Sequence, residues 1–142
     1  MRKLLTLLCP LFCLLMAQPV IAQESPSVLD EEEQYQPIAI SLSQADRLIG
    51  EDDVYFYDVN TPDIYDLVGH LPDAIYINQS DWYGLLPEDK EGTVLVFYCA
   101  NRICYASVDA AIEAKKLGYK NVYNMPEGIY GWVTSGRPAI KD

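Results

Sequence analysis

The chain has few of the residues from which metal centres are built. Its 142 residues include one histidine and four cysteines, and the histidine, His70, lies far in sequence from every cysteine. No group of histidines and cysteines has the spacing of zinc ligands or of a haem attachment site. The sequence therefore argues against both kinds of site.

Basic residues are also scarce, since ten lysines and arginines accompany 21 aspartates and glutamates, and the formal net charge is −11. Nucleic acids and anionic membrane surfaces repel so acidic a chain, and we expect neither as a partner. The same charge gives no long-range attraction for an anionic substrate. Any site for an anion must therefore be built locally.

The N-terminus has the pattern of a secretory signal peptide. Residues 1–22 contain a basic start, an apolar run over residues 4–16, and small residues up to Ala22. One proline interrupts the apolar run and another follows it. The interruptions disfavour a permanent membrane span. We expect an exported protein with no stable membrane anchor, most simply a periplasmic one, with cleavage near Ala22.

The remaining chain is long enough for one domain with a single core. Residues 23–36 are rich in Glu, Asp, Ser, Pro and Gln and predict a flexible acidic leader, and residues 37–142 form the predicted domain. Signal-peptide cleavage would leave Cys99 and Cys104 as the only cysteines. Two cysteines five residues apart are not a disulfide framework, so a bond between them would be chemical rather than architectural.

Short apolar segments rich in β-branched and aromatic residues alternate with helical segments along this domain. This alternation predicts an α/β fold with a mostly parallel sheet that helices cover on both faces. Ligands bind such sheets beyond the carboxyl ends of the strands. The predicted strands are 38–40, 54–59, 74–78, 94–98 and 121–125; the predicted helices are 43–50, 61–68, 108–117 and 127–135, with one helical turn at 82–85.

Cys99 follows the central strand, and a short loop connects it to the Ala-rich helix over 108–117. Backbone N–H groups and the positive end of a helix dipole favour a thiolate over a thiol at such a place. A buried structural cysteine is the alternative. Position alone leaves the two interpretations open.

Five motifs, in a fixed order over roughly residues 38–140, make the chain resemble the rhodanese family of sulfurtransferase domains. The resemblance implies a rhodanese-like α/β fold over nearly the whole mature chain. The motifs are Tyr57-Asp58-Val59, the turn at 69–75, Phe97-Tyr98-Cys99, residues 117–123, and residues 128–132 followed by Gly136-Arg137-Pro138.

The resemblance also implies a mechanism in which Cys99 takes sulfur from thiosulfate, a polysulfide or a persulfide. Cys99 would hold this sulfur as a persulfide and pass it to a thiol or a cyanide-like acceptor, with no metal or organic cofactor. Backbone N–H groups of the active-site loop would stabilise the charged sulfur. The loop residues are Ala100, Asn101, Arg102, Ile103, Cys104 and Tyr105.

The loop departs from the usual family pattern, in which an arginine stands five residues after the cysteine. Cys104 stands there instead, and Arg102 is the one cation of the loop. Asn60 and Glu127 replace an arginine and a glycine that are common in the family. With so few cations, we expect weak binding of a dianion such as thiosulfate.

Three further residues are predicted to support the site. Ser107 is expected to be the hydroxyl at the helix start and a donor near the cysteine. Asp58 is expected to hold the loops at the strand ends rather than to transfer protons. His70 is expected to fix the turn before Pro72 through a hydrogen bond.

Two other functions remain open on the sequence. Cys99 and Cys104 could cycle as an exported thiol–disulfide or persulfide-reducing pair, with Cys104 as the resolving thiol and a redox or sulfur-relay protein as partner. The fold could instead be a non-catalytic binding module. A cysteine phosphatase is disfavoured, because such enzymes hold phosphate with an arginine six residues after the cysteine, where this chain has Tyr105.

Overall fold

Five strands form one parallel sheet in the order β1-β5-β4-β2-β3 in the computed structural model, which describes residues 33–78 and 80–142. The predicted signal peptide and residues 23–32 of the predicted leader lie outside these residues. The strands are β1 (Ile38–Ala39), β2 (Val54–Asp58), β3 (Ile75–Tyr76), β4 (Val94–Tyr98) and β5 (Asn121–Met125); the helices are α1 (Leu42–Leu48), α2 (Pro62–Val68), α3 (Ala106–Lys116) and α4 (Gly128–Thr134), with a 3-10 turn at Tyr83–Leu85.

Strand β4 is the centre of the sheet and pairs along its whole length with β2 on one side and β5 on the other. Its residues 95–98 are completely buried, as expected for a β-branched and aromatic strand that is covered on both faces. Because all five strands are parallel, their carboxyl ends lie at one edge, where Asp58 of β2 is opposite Tyr98 of β4. The predicted α/β class and the parallel sheet are confirmed.

Helices cover both faces of the sheet, and each face has its own core. On one face α1, α2 and α4 pack through side chains that include Ala45 and Trp132. On the other face α3 lies on the sheet through Ala110, Ala111 and Ala114, whose small side chains allow a close approach. Among the described residues no helix has the length and apolar character needed to cross a membrane.

Helix α3 begins two residues earlier than the sequence predicted, at Ala106. Tyr105 precedes it without a side-chain cap, and its carbonyl accepts the first helical bond from the Asp109 N–H at 3.0 Å. The prediction that Ser107 starts the helix is therefore wrong. Ser107 is the second helical residue and is buried, with 2% of its surface exposed.

The strands at the sheet edges are shorter than predicted. β1 and β3 lie at the two edges of the sheet and have two residues each. The sequence offered Ser41 or Ser43 as the cap of α1, and the structure shows Ser41 in this role, where it forms a reciprocal capping box with Gln44. Pro62 is the first residue of α2, also as predicted.

Candidate active site

Cys99 is the first residue after β4, and it forms a disulfide with Cys104. The two Cα atoms are 6.1 Å apart, within the usual range for a disulfide. Cys99 is buried, with 5% of its surface exposed, and Cys104 is half-buried. In this form neither sulfur is a nucleophile, so attack by Cys99 requires prior reduction of the bond.

Asn101 shapes the loop that carries Cys104 back to Cys99. Its backbone carbonyl accepts a hydrogen bond from the Cys104 N–H at 3.0 Å, and its side-chain Oδ1 accepts one from the Ile103 N–H at 3.1 Å. This is a turn of the kind that asparagine favours. Two of the N–H groups expected to bind an anion are therefore already bonded to Asn101.

Other N–H groups at this edge of the sheet have no hydrogen-bond partner among the described residues. They are the N–H groups of Asn101, Arg102 and Tyr105 in the loop and those of residues 106–108 in the first turn of α3. The 11-residue helix α3 adds the positive end of its dipole at the same place. These donors are available to an anion bound there.

The loop is anchored to the start of α4. The carbonyls of Cys99 and Ala100 accept hydrogen bonds from the N–H groups of Ile129 and Tyr130, at 2.9 and 3.0 Å. Gly128 makes this approach possible, because its φ is +61° and a Cβ there would lie 2.3 Å from the Cys99 carbonyl oxygen. The Gly128–Trp132 motif thus fixes the backbone of the cysteine.

The charge of Arg102 is partly offset, because its guanidinium forms an ion pair with the carboxylate of Glu127. The Arg102 side chain is 69% exposed and that of Glu127 is 24% exposed. The second carboxylate oxygen of Glu127 is buried without a hydrogen-bond partner in the described part of the chain. Both side chains lie beside a shallow surface depression of about 400 Å³, which is also lined by Ile103 and Tyr130.

A buried polar network lies directly before the cysteine. The Tyr98 hydroxyl donates to Asp58 Oδ2 at 2.7 Å, and it accepts a hydrogen bond from the Leu71 N–H at 3.1 Å. The backbone N–H and the side-chain amide of Asn60 donate to Asp58 Oδ1 at 2.8 and 2.7 Å. Burial raises the pKa of Asp58, although the hydrogen bonds from Tyr98 and Asn60 oppose this rise. Asp58 thus joins the end of β2 to the residue that precedes Cys99.

His70 lies outside the cysteine loop, in the turn after α2. Its Nδ1 is 2.8 Å from the Leu71 carbonyl, its Nε2 is 3.4 Å from a carboxylate oxygen of Asp142, and its ring stacks on Tyr65. The backbone of His70 also pairs with Ile140. These contacts join the turn to the C-terminal segment, as a supporting residue would.

The structure brings together most of the residues that the sequence singled out. Cys99 to Tyr105 form one loop, and Asp58 and Ser107 lie at the ends of the elements that border it. The sequence missed the Arg102–Glu127 pair and the bond from Tyr98 to Asp58. The one signal for the pair was a carboxylate at a position where the family commonly has glycine.

The family model for the rhodanese-like domain matches residues 41–135. A Rhodopseudomonas palustris protein of unknown function, described as a possible tyrosine phosphatase, has a similar structure, with 26% identity, a TM-score of 0.61 and coverage of 79% of this chain and 90% of its own. No curated protein is similar enough to count as a match.

Two sulfurtransferases also share the fold. The polysulfide-sulfur transferase homodimer of Wolinella succinogenes has 20% identity and a TM-score of 0.63, covering 79% of this chain and 85% of its own. The thiosulfate sulfurtransferase of Pseudomonas aeruginosa has 22% identity and a TM-score of 0.61, covering 75% of this chain and 20% of its own. At these identities they show similarity of fold alone. The family match, which spans strands β2 to β5, the cysteine loop and the four helices, shows that the chain belongs to the rhodanese-like domain family.

Proposed function

We propose that the protein is a sulfurtransferase that carries a sulfane sulfur as a persulfide on Cys99. One observation carries the proposal: in a rhodanese-like chain, Cys99 directly follows the central strand, and its loop enters the N-terminus of α3. Unpartnered N–H groups and a helix dipole at that place favour an anionic sulfur. These N–H groups and the helix dipole stabilise both the attacking Cys99 thiolate and the persulfide anion.

The transfer has two steps, and it begins from the reduced loop. The Cys99 thiolate attacks the outer sulfur of the donor, a new S–S bond forms, and the rest of the donor leaves as sulfite or as a thiolate. An acceptor, such as a thiolate or cyanide, then attacks the outer sulfur of the persulfide. Cys99 leaves as a thiolate and is ready for another cycle.

The charges around the loop favour some donors over others. Thiosulfate is a compact dianion, and Glu127 already offsets the charge of Arg102. A thiol persulfide presents a single negative charge at its reacting end and relies less on a free cation. We therefore propose that thiol persulfides are better donors than thiosulfate.

Export is also part of the proposal. A disulfide between Cys99 and Cys104 suits an oxidising compartment, where such bonds persist. N-terminal sequencing of the protein recovered from its host should find a mature chain that begins near Gln23. A chain that keeps residues 1–22 and is recovered from the cytosol would contradict export.

Sulfur transfer can be measured as the rate at which the reduced protein forms thiocyanate from cyanide and glutathione persulfide, after subtraction of the uncatalysed rate. We expect Cys99→Ser to lose this activity completely while its thermal unfolding midpoint stays close to that of the wild type. An active Cys99→Ser variant would overturn the proposal. If the wild type uses none of the three donor classes, the fold is a non-catalytic binding module.

A further inference from the structure

We propose that Cys104 resolves the Cys99 persulfide, so that the protein also reduces sulfane sulfur and releases it as hydrosulfide. This inference rests on the proposed function, because it begins from the persulfide on Cys99. It gives the bound sulfur a second fate, which competes with transfer to an acceptor. The product on the protein is the disulfide that the structure contains.

The geometry of the loop allows the two sulfurs to meet. The turn at Asn101 holds the backbone of Cys104 by a hydrogen bond of 3.0 Å, and α4 holds the carbonyl of Cys99 by one of 2.9 Å. With both ends held in this way, the Cα atoms are 6.1 Å apart. The disulfide therefore closes within one loop, between residues whose backbones are hydrogen-bonded.

A purely structural role does not account for this disulfide. A cross-link stabilises a fold mainly by restricting the unfolded chain, and the gain falls as the closed loop becomes shorter. Cys99 and Cys104 are five residues apart, and hydrogen bonds already hold the loop between them. The disulfide is thus better explained as the product of a reaction than as a cross-link that stabilises the fold.

The resolving step balances in atoms and electrons. The Cys104 thiolate attacks Sγ of Cys99, and the bond between that Sγ and the outer sulfur breaks. The outer sulfur leaves with the electron pair of that bond and, after taking a proton, is hydrosulfide. The two cysteines have then lost two electrons, and the sulfane sulfur has gained two.

A dithiol reductant must then return the pair to its reduced state. Cys104 is the more accessible cysteine, and its neighbours Ile103 and Tyr105 are 82% and 71% exposed. A dithiol that attacks the Cys104 sulfur releases Cys99 as the leaving thiolate, and a second exchange frees Cys104. The partner implied is a protein of the dithiol–disulfide exchange class.

A single-turnover experiment without added thiol tests the inference. The reduced wild type, Cys104→Ser and Cys99→Ser are each mixed with excess thiosulfate under anaerobic conditions, and sulfite, sulfide and intact mass are measured. Thiosulfate suits this purpose because loading releases sulfite and because it yields no sulfide by itself. Added thiol is left out because it would release sulfide from any persulfide.

We expect the wild type to release one sulfite and one sulfide per chain and to become lighter by two hydrogen atoms. Cys104→Ser should release the sulfite, retain one additional sulfur atom and release no sulfide. Cys99→Ser should release neither sulfite nor sulfide, and its mass should not change. Cys104→Ala should behave like Cys104→Ser, which separates loss of the thiol from a local effect of the serine.

A wild type that keeps its persulfide, or a Cys104→Ser variant that releases as much sulfide as the wild type, would overturn the resolving role and leave the proposed function intact. Failure of the proposed function has a different signature. In that case neither the wild type nor Cys104→Ser releases sulfite. Treatment with a second donor, glutathione persulfide, then also adds no sulfur to the intact mass of either protein.

Discussion

Glu127 sets the charge beside the cysteine loop, because its carboxylate pairs with Arg102. Replacement by glutamine would free the guanidinium for an incoming anion. We predict that Glu127→Gln raises kcat/KM for thiosulfate by up to about fivefold, the equivalent of ~1 kcal/mol for an exposed ion pair. The measurement is steady-state transfer to cyanide at low ionic strength.

Glu113→Gln is the matched control for this prediction. Glu113 pairs with Lys116 on the surface of α3, so its replacement changes the net charge equally without freeing Arg102. Equal increases in the two variants would show that net charge, rather than the pair with Arg102, limits the use of thiosulfate.

The buried carboxyl of Asp58 should make stability depend on pH in a defined direction. Burial raises its pKa above the ordinary 3.8, so the folded protein binds this proton more tightly than the unfolded chain does. Its contribution to stability is then complete below the unfolded pKa and is lost as pH rises through the folded pKa. We predict that the stability of the wild type relative to Asp58→Asn declines from acidic pH to neutrality.

Urea unfolding of both proteins at a series of pH values measures this difference. The same replacement at the exposed Asp63 controls for the loss of one carboxylate elsewhere in the fold. A wild-type advantage over Asp58→Asn that grows as pH rises would contradict the assigned direction.

At the residue scale, the sequence predicted the position of the site well. It predicted the pairing of the side chains there less well. The position of Cys99 followed from the local pattern, because the loop that contains it lies between a buried strand and a helix. Arg102 and Glu127 are 25 residues apart, and Tyr98 and Asp58 are 40 apart. Such contacts depend on how the elements pack, which the local pattern does not determine.

Gly128 is the point at which α4 meets the cysteine loop. An alanine there would have an unfavourable positive φ, and its Cβ would overlap the backbone of Cys99 and Ala100. We predict that Gly128→Ala lowers the free energy of unfolding by at least roughly 2 kcal/mol and also slows sulfur transfer. Urea unfolding and thiocyanate formation measure the two effects.

Gly50→Ala separates strain from overlap. Gly50 has a similar φ of +79°, but a Cβ there would have open space around it. Its replacement should cost about 1 kcal/mol from backbone conformation alone and leave sulfur transfer unchanged. Equal losses of stability in the two variants would argue against a close contact between α4 and the loop.

At the scale of elements, local sequence signals predicted boundaries well where a capping or helix-starting residue marks the end of a helix or strand. β5 was predicted with both ends correct, Pro62 marked the start of α2, and Ser41 was one of two candidate caps for α1. The start of α3 was misplaced because no side chain caps it there. The lengths of β1 and β3 depend on their neighbours in the sheet, so the sequence overestimated them.

The acidity of the whole chain should be measurable at Cys99. With a net charge of −11 and Arg102 paired, we expect distant charges to repel anions from the loop, and salt screens charges beyond about 10 Å at 0.1 M. For reduced Cys104→Ser we predict that added salt accelerates alkylation of Cys99 by iodoacetate roughly twofold or more. The neutral reagent iodoacetamide should react at a rate that salt does not change.

The two reagents carry the same reactive group, so their ratio isolates the effect of charge from the accessibility of Cys99. An iodoacetate rate that falls with added salt would mean that a local cation dominates at the loop. The charge argument against thiosulfate as donor would then fail.

The most direct test of the whole account is to find the transferred sulfur on its predicted residue. Reduced Cys104→Ser, in which no resolving thiol is present, is treated with glutathione persulfide, alkylated and mapped by peptide mass spectrometry. We predict one additional sulfur atom on the peptide that contains Cys99, removable by reductant. A peptide without added sulfur, or the same gain in a variant that lacks both cysteines, would contradict it.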